Sequence, residues 1–316
     1  MKKNIYFPSF GTKLGFANSA FQYLFISHLS KLFSFNLILG SLDSNRNIPK
    51  AALFPIELFD INDYGACKQI EQPYYKTELS RDRLRGYYKD ILKVEAFLSN
   101  HKLKTLEISG FFQYHTALMS ICGLKNTFYD IYFAKSKKDM NNEFQNILFR
   151  NKQFLNNFYK NSTLIVCHIR LGDYKIYEKR NIEFIYTNDI EALIEEVKDF
   201  IKFNYIRNSK IYIASDSLEE CIHIFQQHGI NPLTIKSFFP DIDLESSKAL
   251  MFDLANISVA DIFYASNSSF SLLGSLLNTK QALFFRPSPT NKKMIGYLPW
   301  NTQILFKKSS FYPSSI

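Results

Sequence analysis

Hydrophobic positions along this chain switch repeatedly between short apolar runs and stretches in which apolar residues recur every three or four places. Asn4–Phe7 reads as a strand, and a loop around Gly11 and Gly15 follows it. Phe21, Leu24, Phe25, Leu29, Leu32 and Phe33 then fall on one helical face, and Phe35–Leu39 predicts a second strand. Residues 40–90, with Pro49, Pro55 and Pro73, show too little periodicity to assign elements. Within them, Arg81-Asp82-Arg83-Leu84-Arg85 reads as a solvated helix face. Lys104–Ile108 predicts a strand leading into Gly110-Phe111-Phe112-Gln113-Tyr114, and residues 139–160 predict a polar helix that connects two halves.

The second half has a cleaner pattern. An apolar run at 163–169 predicts a buried strand, and Ile190, Leu193, Ile194, Val197 and Ile201 share one face of a helix at 188–203. Lys210–Ala214 predicts a strand. Ser217-Leu218-Glu219-Glu220 spells a capping box that opens a helix ending at Gly229. Further on, the pattern predicts a strand near 232–235, a helix at 245–257, a strand at Asp261–Ala265, a short helix from Ser269 and a strand at Gln281–Phe285. Alternating strands and helices predict an α/β fold with a doubly wound parallel sheet. At 316 residues there is room for two domains, placed at 1–155 and 156–316.

Composition narrows the partners. The net charge is +9, which fits nucleic acid, an anionic membrane surface, a phosphorylated substrate, or the Lys-, Asn-, Ile-, Phe- and Tyr-rich background of an AT-rich genome. The basic clusters, Lys135-Ser136-Lys137-Lys138, Asn291-Lys292-Lys293 and Lys307-Lys308, are too short for a nucleic-acid arm and do not alternate with aromatics. Nucleic acid is therefore not an expected partner, while an anionic membrane surface remains one. Cys67, Cys122, Cys167 and Cys221 form no metal-binding spacing and read as reduced structural thiols, which fits a cytoplasmic protein. The sequence shows neither a signal peptide nor an apolar stretch long enough to span a bilayer. The expectation is a soluble protein, or one peripheral on the inner face of the cytoplasmic membrane.

Ligands on doubly wound sheets bind beyond the carboxyl ends of the strands, and three such ends here are polar. The first is His168-Ile169-Arg170-Leu171-Gly172-Asp173-Tyr174, whose Arg170 can grip a phosphate with paired hydrogen bonds or form a bridge to Asp173. The second is Ser215-Asp216-Ser217. Asp216 suits a ribose or base, while Ser217 suits a helix cap or a ligand contact. The third, Asn267-Ser268-Ser269-Phe270-Ser271, enters a helix. Its backbone N–H groups and hydroxyls suit an anion, and Ser269 equally suits a cap. No metal is expected: the six His do not cluster, and Asp241-Ile242-Asp243 lies in a Pro-bounded loop that reads as a turn and cap.

These segments resemble the bacterial α-1,2-fucosyltransferases, inverting enzymes that use GDP-fucose. Gly15-Phe16-Ala17-Asn18-Ser19-Ala20-Phe21-Gln22-Tyr23 is similar to the family's Gly-Leu-Gly-Asn-Gln-Met-Phe-Gln-Tyr opening, and Gly110-Phe111-Phe112-Gln113 to its Gly-Tyr-Phe-Gln. His168 through Tyr174 resembles its His-Ile-Arg-Arg-Gly-Asp-Tyr, and Asn267 through Ser271 its Asn-Ser-Ser-Phe-Ser-Trp-Trp. Ser215-Asp216 corresponds to the start of its Ser-Asp-Asp. The resemblance spans roughly residues 4 to 290, and all four longer segments keep the family's order. The chain departs from the pattern at Leu171, which replaces a second Arg, at Ser217, which replaces an Asp, at Leu272-Leu273, which replace the Trp pair, and at Ala17, which replaces a Gly.

The resemblance implies a GT-B-type fold of two Rossmann-like domains, the N-terminal one shaping the acceptor side and the C-terminal one holding the nucleotide sugar. It implies transfer of L-fucose from GDP-fucose to a hydroxyl, O-2, of a galactoside-terminated oligosaccharide in a lipopolysaccharide or capsule, without metal. The departures keep open another GDP-deoxysugar donor, or a non-catalytic glycan- or nucleotide-binding role. By resemblance Arg170 binds the diphosphate, with His168, Ser215, Asp216, Asn267, Ser268, Ser269 and Phe270 on the donor. Gly15 and Asn18 close over the donor from an N-terminal loop, and Gln113 lies on the acceptor side. Asp173 and His115 are the candidates for the catalytic base.

Overall fold

The computed structural model describes residues 3–7, 16–39, 74–78, 86–109, 143–172, 190–278, 280–287 and 293–299. The chain divides into two compact units, Met1–Gln145 and Asn146–Ile316. The sequence-based boundary at 155/156 and this one at 145/146 both fall within a single helix, Glu143–Phe158.

The first unit is built on β1 (Asn4–Phe7), α1 (Phe16–Phe33), β2 (Asn36–Leu39), β3 (Tyr74–Glu78), α2 (Gly86–Ser99) and β4 (Thr105–Ser109). Its sheet has the order β2-β1-β4-β3, with every pairing parallel. Ile5, Phe7, Leu106 and Ile108 on the two central strands are buried, as are Phe21, Phe25 and Leu29 of α1. Leu32, on the apolar face read from the sequence, is instead exposed near the end of α1. Lys3 closes α2: its Nζ donates to the carbonyls of Phe97, Leu98 and Asn100 at 3.1, 3.1 and 2.8 Å. A cation there satisfies carbonyls that a helix end leaves without partners. β3 and the start of α2 lie in the stretch where periodicity predicted no element.

The second unit comprises α3 (Glu143–Phe158), β5 (Thr163–Ile169), α4 (Ile190–Phe203), β6 (Ser209–Ser215), α5 (Leu218–Gln227), α6 (Ser247–Val259), β7 (Ile262–Tyr264), α7 (Ser269–Leu277), β8 (Leu283–Pro287) and β9 (Met294–Gly296). Its strand order is β6-β5-β7-β8-β9, parallel except for β9, which pairs antiparallel with β8. The sequence did not predict β9. The strand expected at 232–235 is absent: Leu233 alone bridges to β6, exchanging bonds with Ile211 and Ile213, and Ile235–Ser237 turns into a 3₁₀ helix. Pro232, just before it, has no N–H to extend a ladder.

β5 is central and buried from Leu164 to Ile169, as a strand covered on both faces must be. Ile190, Ile194 and Val197 bury one face of α4. α7 lies so close to α6 that a Cβ on Gly274 would stand 2.6 Å from Ile257 Cγ2. Two buried tyrosines in this core find polar partners. The Tyr159 hydroxyl donates to Asn256 Oδ1 at 3.1 Å, and that of Tyr212 to Asp253 Oδ1 at 2.5 Å. Burial pushes the Asp253 carboxyl up to about 7, so near neutral pH much of it carries a proton instead of a charge.

Candidate functional site

The carboxyl edge of the second sheet gathers the three polar segments singled out by the sequence. In the sheet register Ile169 lies beside Ser215, and Cys167 beside Tyr264, so the ends of β5, β6 and β7 are adjacent. Each strand stops where its backbone must turn out of the sheet, and that is where polar side chains take over from Val, Ile and Phe.

Asp216 organises the first loop. Its Oδ1 accepts from the Leu171 N–H at 2.8 Å and its Oδ2 from the Gly172 N–H at 3.1 Å, while Arg170 Nε stands 3.1 Å from Oδ2. The sequence offered Asp173 as partner of Arg170 and a ribose or base as partner of Asp216. Asp173 lies outside the described residues; among those described, Arg170 pairs with Asp216. Neighbouring strand ends bring these two together, although they are far apart in sequence. Gly172 has to be glycine for this grip, because a Cβ there would fall 2.8 Å from Asp216 Oδ2. Arg170 is still 40% exposed along its side chain, and its guanidinium carries five N–H donors.

His168 anchors the loop to the third segment. Its Nδ1 lies 2.8 Å from Ser266 Oγ and 2.6 Å from Ser271 Oγ, and its ring packs on Phe270 with centroids 5.1 Å apart. Burial, and then the nearby charge of Arg170, hold its pKa down to about 3, so the imidazole is neutral at physiological pH. The cap of α7 is Ser268, not Ser269: its Oγ accepts from the Ser271 N–H at 3.1 Å and from Ser266 Oγ at 3.1 Å. Sequence reading passed over Ser266 and the inward role of Ser271. The spelling Ser-Asn-Ser-Ser-Phe-Ser signals a cap, but only the fold brings His168 against it. Asn267 is buried beside these serines in sequence, and Ser269 and Phe270, in the first turn of α7, are partly exposed.

At the second segment the capping box does not form. Ser217 occupies the cap position of α5 without a side-chain bond to the helix, and its own N–H donates to Ser215 Oγ at 3.0 Å. Ser215 Oγ also receives the Cys221 thiol at 3.3 Å, so this hydroxyl is engaged within the fold. Asn18, expected on a loop, lies in the first turn of α1. Gly15, Gln113, His115 and Asp173 lie outside the described residues. Asp243 accepts from the Glu245 N–H at 3.0 Å, and Ser246 beside it caps α6, so this Asp-x-Asp stretch is part of a turn.

Two departures from the fucosyltransferase pattern are packing positions. Leu171 is 2% exposed, so a second Arg there would bury a charge. Leu272 and Leu273 are buried on α7, in place of the Trp pair.

Among the solved structures that match this chain over nearly its whole length are structures of a NodZ fucosyltransferase. A NodZ α-1,6-fucosyltransferase soaked with GDP-fucose superposes with a TM-score of 0.52 at 10% identity, over 93% of this chain and 99% of the other. A fucosyltransferase NodZ from Bradyrhizobium gives 0.50 at 10% identity, over 94% and 99%. The fold is of the GT-B type. No family model and no curated protein sequence matches the chain. At this identity the likeness carries the architecture, and the chemistry has to be argued from the residues at the edge of the second sheet.

Proposed function

We propose that this chain is an inverting glycosyltransferase that moves L-fucose from GDP-fucose to a hydroxyl of a galactoside, O-2, in a bacterial surface glycan. One observation carries the reading: Arg170, held by Asp216 at the end of β5, stands on a loop that His168 ties to the amino end of α7. When the donor's sugar is transferred, the nucleoside diphosphate is the leaving group and gains negative charge in the transition state. A guanidinium fixed in advance stabilises that charge without reorganising. The first amides of α7, from Ser269 and Phe270, are N–H groups that a helix itself cannot satisfy, and they suit the phosphate oxygens.

His168 serves this arrangement by being neutral. An imidazolium beside Arg170 would repel it, whereas the neutral ring packs on Phe270 and meets two hydroxyls. Inversion needs the acceptor hydroxyl to lose its proton, and Asp173 and His115 are the candidates for taking it. Support for GDP-fucose over other donors comes from the order of the four sequence segments and from the NodZ fold, whose solved form was soaked with GDP-fucose. The buried Leu171 favours a donor pocket with one Arg where the family has two, and another GDP-deoxysugar is the second reading.

Incubation of the purified protein with GDP-fucose and a β-galactoside tests the proposal. A fucosylated product with α-1,2 linkage is expected, at a rate that EDTA leaves unchanged. A rate abolished by EDTA and restored by Mg²⁺ or Mn²⁺ would overturn the metal-free chemistry, and a product linked elsewhere would overturn the O-2 assignment.

A further inference from the structure

We infer that the corner where α4 ends and β6 begins is a docking surface for a bilayer rich in anionic phospholipid. Phe203 is 72% exposed and Tyr205 88%. Other exposed aromatics of this unit have partners: Phe154 and Phe158 pack on Phe238 at centroid distances of 6.0 and 5.0 Å. No ring contact is recorded for Phe203 or Tyr205 among the described residues.

Helix termination does not explain Tyr205. The Tyr205 N–H donates to the Lys202 carbonyl at 3.2 Å and the Ile206 N–H to the Ile201 carbonyl at 3.0 Å, the bonding of a Schellman cap. Tyr205 occupies its left-handed position with φ 52°, which glycine adopts without penalty and a bulky side chain does not. The fold would be served better by glycine, yet the chain places a large aromatic there and points it into solvent.

The surroundings are cationic. Lys202, Arg207 and Lys210 are exposed, and among the described residues none is paired with a carboxylate. Between Lys198 and Lys210 the only acid is Asp199. Lys202 and Lys210 line one groove of about 430 Å³, floored by Ile201, Ile211 and Leu233. Exposed aromatics that can enter the headgroup layer, cations flanking them and a basic groove of headgroup size match an anionic lipid surface. Among the described residues no helix is long and apolar enough to cross a membrane, so this contact is peripheral. β6 runs from this corner to Asp216, so docking here leaves the donor loop on the far edge of the sheet, about 20 Å away. The inference goes beyond the proposed transfer and does not rest on it.

Vesicle flotation tests it, with phosphatidylcholine vesicles prepared with and without phosphatidylglycerol. The parent should float with the anionic vesicles, weakly with the neutral ones, and be released by high salt. Lys202→Glu with Arg207→Glu and Lys210→Glu should lower partitioning by roughly 10²-fold. Phe203→Ser with Tyr205→Gly should lower it by about tenfold or more, while the melting temperature holds or rises because glycine suits that backbone. Variants that float like the parent, or a parent that ignores anionic vesicles, would overturn docking. GDP-fucose binding measured on the same samples separates the two ideas. A parent that binds GDP-fucose but ignores anionic vesicles removes only the docking surface, and a parent that floats with them without binding GDP-fucose removes only the donor assignment.

Discussion

Arg170→Ala should slow fucose transfer by roughly 10² to 10³-fold, the usual cost of deleting one preorganised charge stabiliser. The structure gives the loss a specific route. Arg170 follows the interior strand β5, its Nε 3.1 Å from Asp216 Oδ2, so its head group is positioned before any ligand arrives. Alanine removes the charge and leaves the strand, because Leu164 to Ile169 hold β5 in the core without it. The variant should therefore melt close to the parent and fail in turnover. Arg170→Lys keeps a point charge but loses the Nε contact and the planar fork, and should fall between the two. Parental turnover in Arg170→Ala, measured as product formed from GDP-fucose, would remove Arg170 from the chemistry.

The second large effect should come from Asp216, the residue that holds the donor loop. Asp216→Ala deletes the acceptor for two loop amides and the partner of Arg170 in one step. The loop and its guanidinium then lose their fixed position, and donor affinity should weaken by about 10- to 100-fold, or roughly 1.4–2.8 kcal/mol. Gly172→Ala should reproduce much of this loss with the carboxylate still present, since its Cβ would intrude to 2.8 Å from Oδ2 and push the side chain away. Asp216→Asn keeps one oxygen for one amide but turns an N–H₂ toward donors, and should be only partly competent. Calorimetry with GDP checks all three, and parental affinity in Asp216→Ala would show that the loop holds its shape by other means.

How much of this was legible in the chain depends on how far apart the interacting residues are. Elements of the second unit were readable because their periods are strong: the apolar run of β5 and the Ile190, Ile194 and Val197 face of α4 appear in place. Two stretches near the edges of that pattern were not. β9 is three residues long, and the stretch after Pro232 had enough apolar character to suggest a strand but makes a single bridge. At the site, residue types and strand-end positions were legible, while pairings were not. Nothing local says that Arg170 meets Asp216, or that His168 meets Ser266 and Ser271, since sheet order sets both. The failed box at Ser217 and the working cap at Ser268 look alike in sequence. The difference is that the Ser217 amide is drawn to Ser215 Oγ.

The most direct test of the account is calorimetric titration of the purified protein with GDP, GDP-fucose, GDP-mannose, UDP-galactose and UDP-N-acetylglucosamine. Selective binding of the guanosine ligands, strongest for GDP-fucose and weakened in Arg170→Ala, is the predicted result. Binding of the UDP-sugars alone, or of none of the five, would contradict the assignment of the β5–α7 edge as a GDP-fucose site.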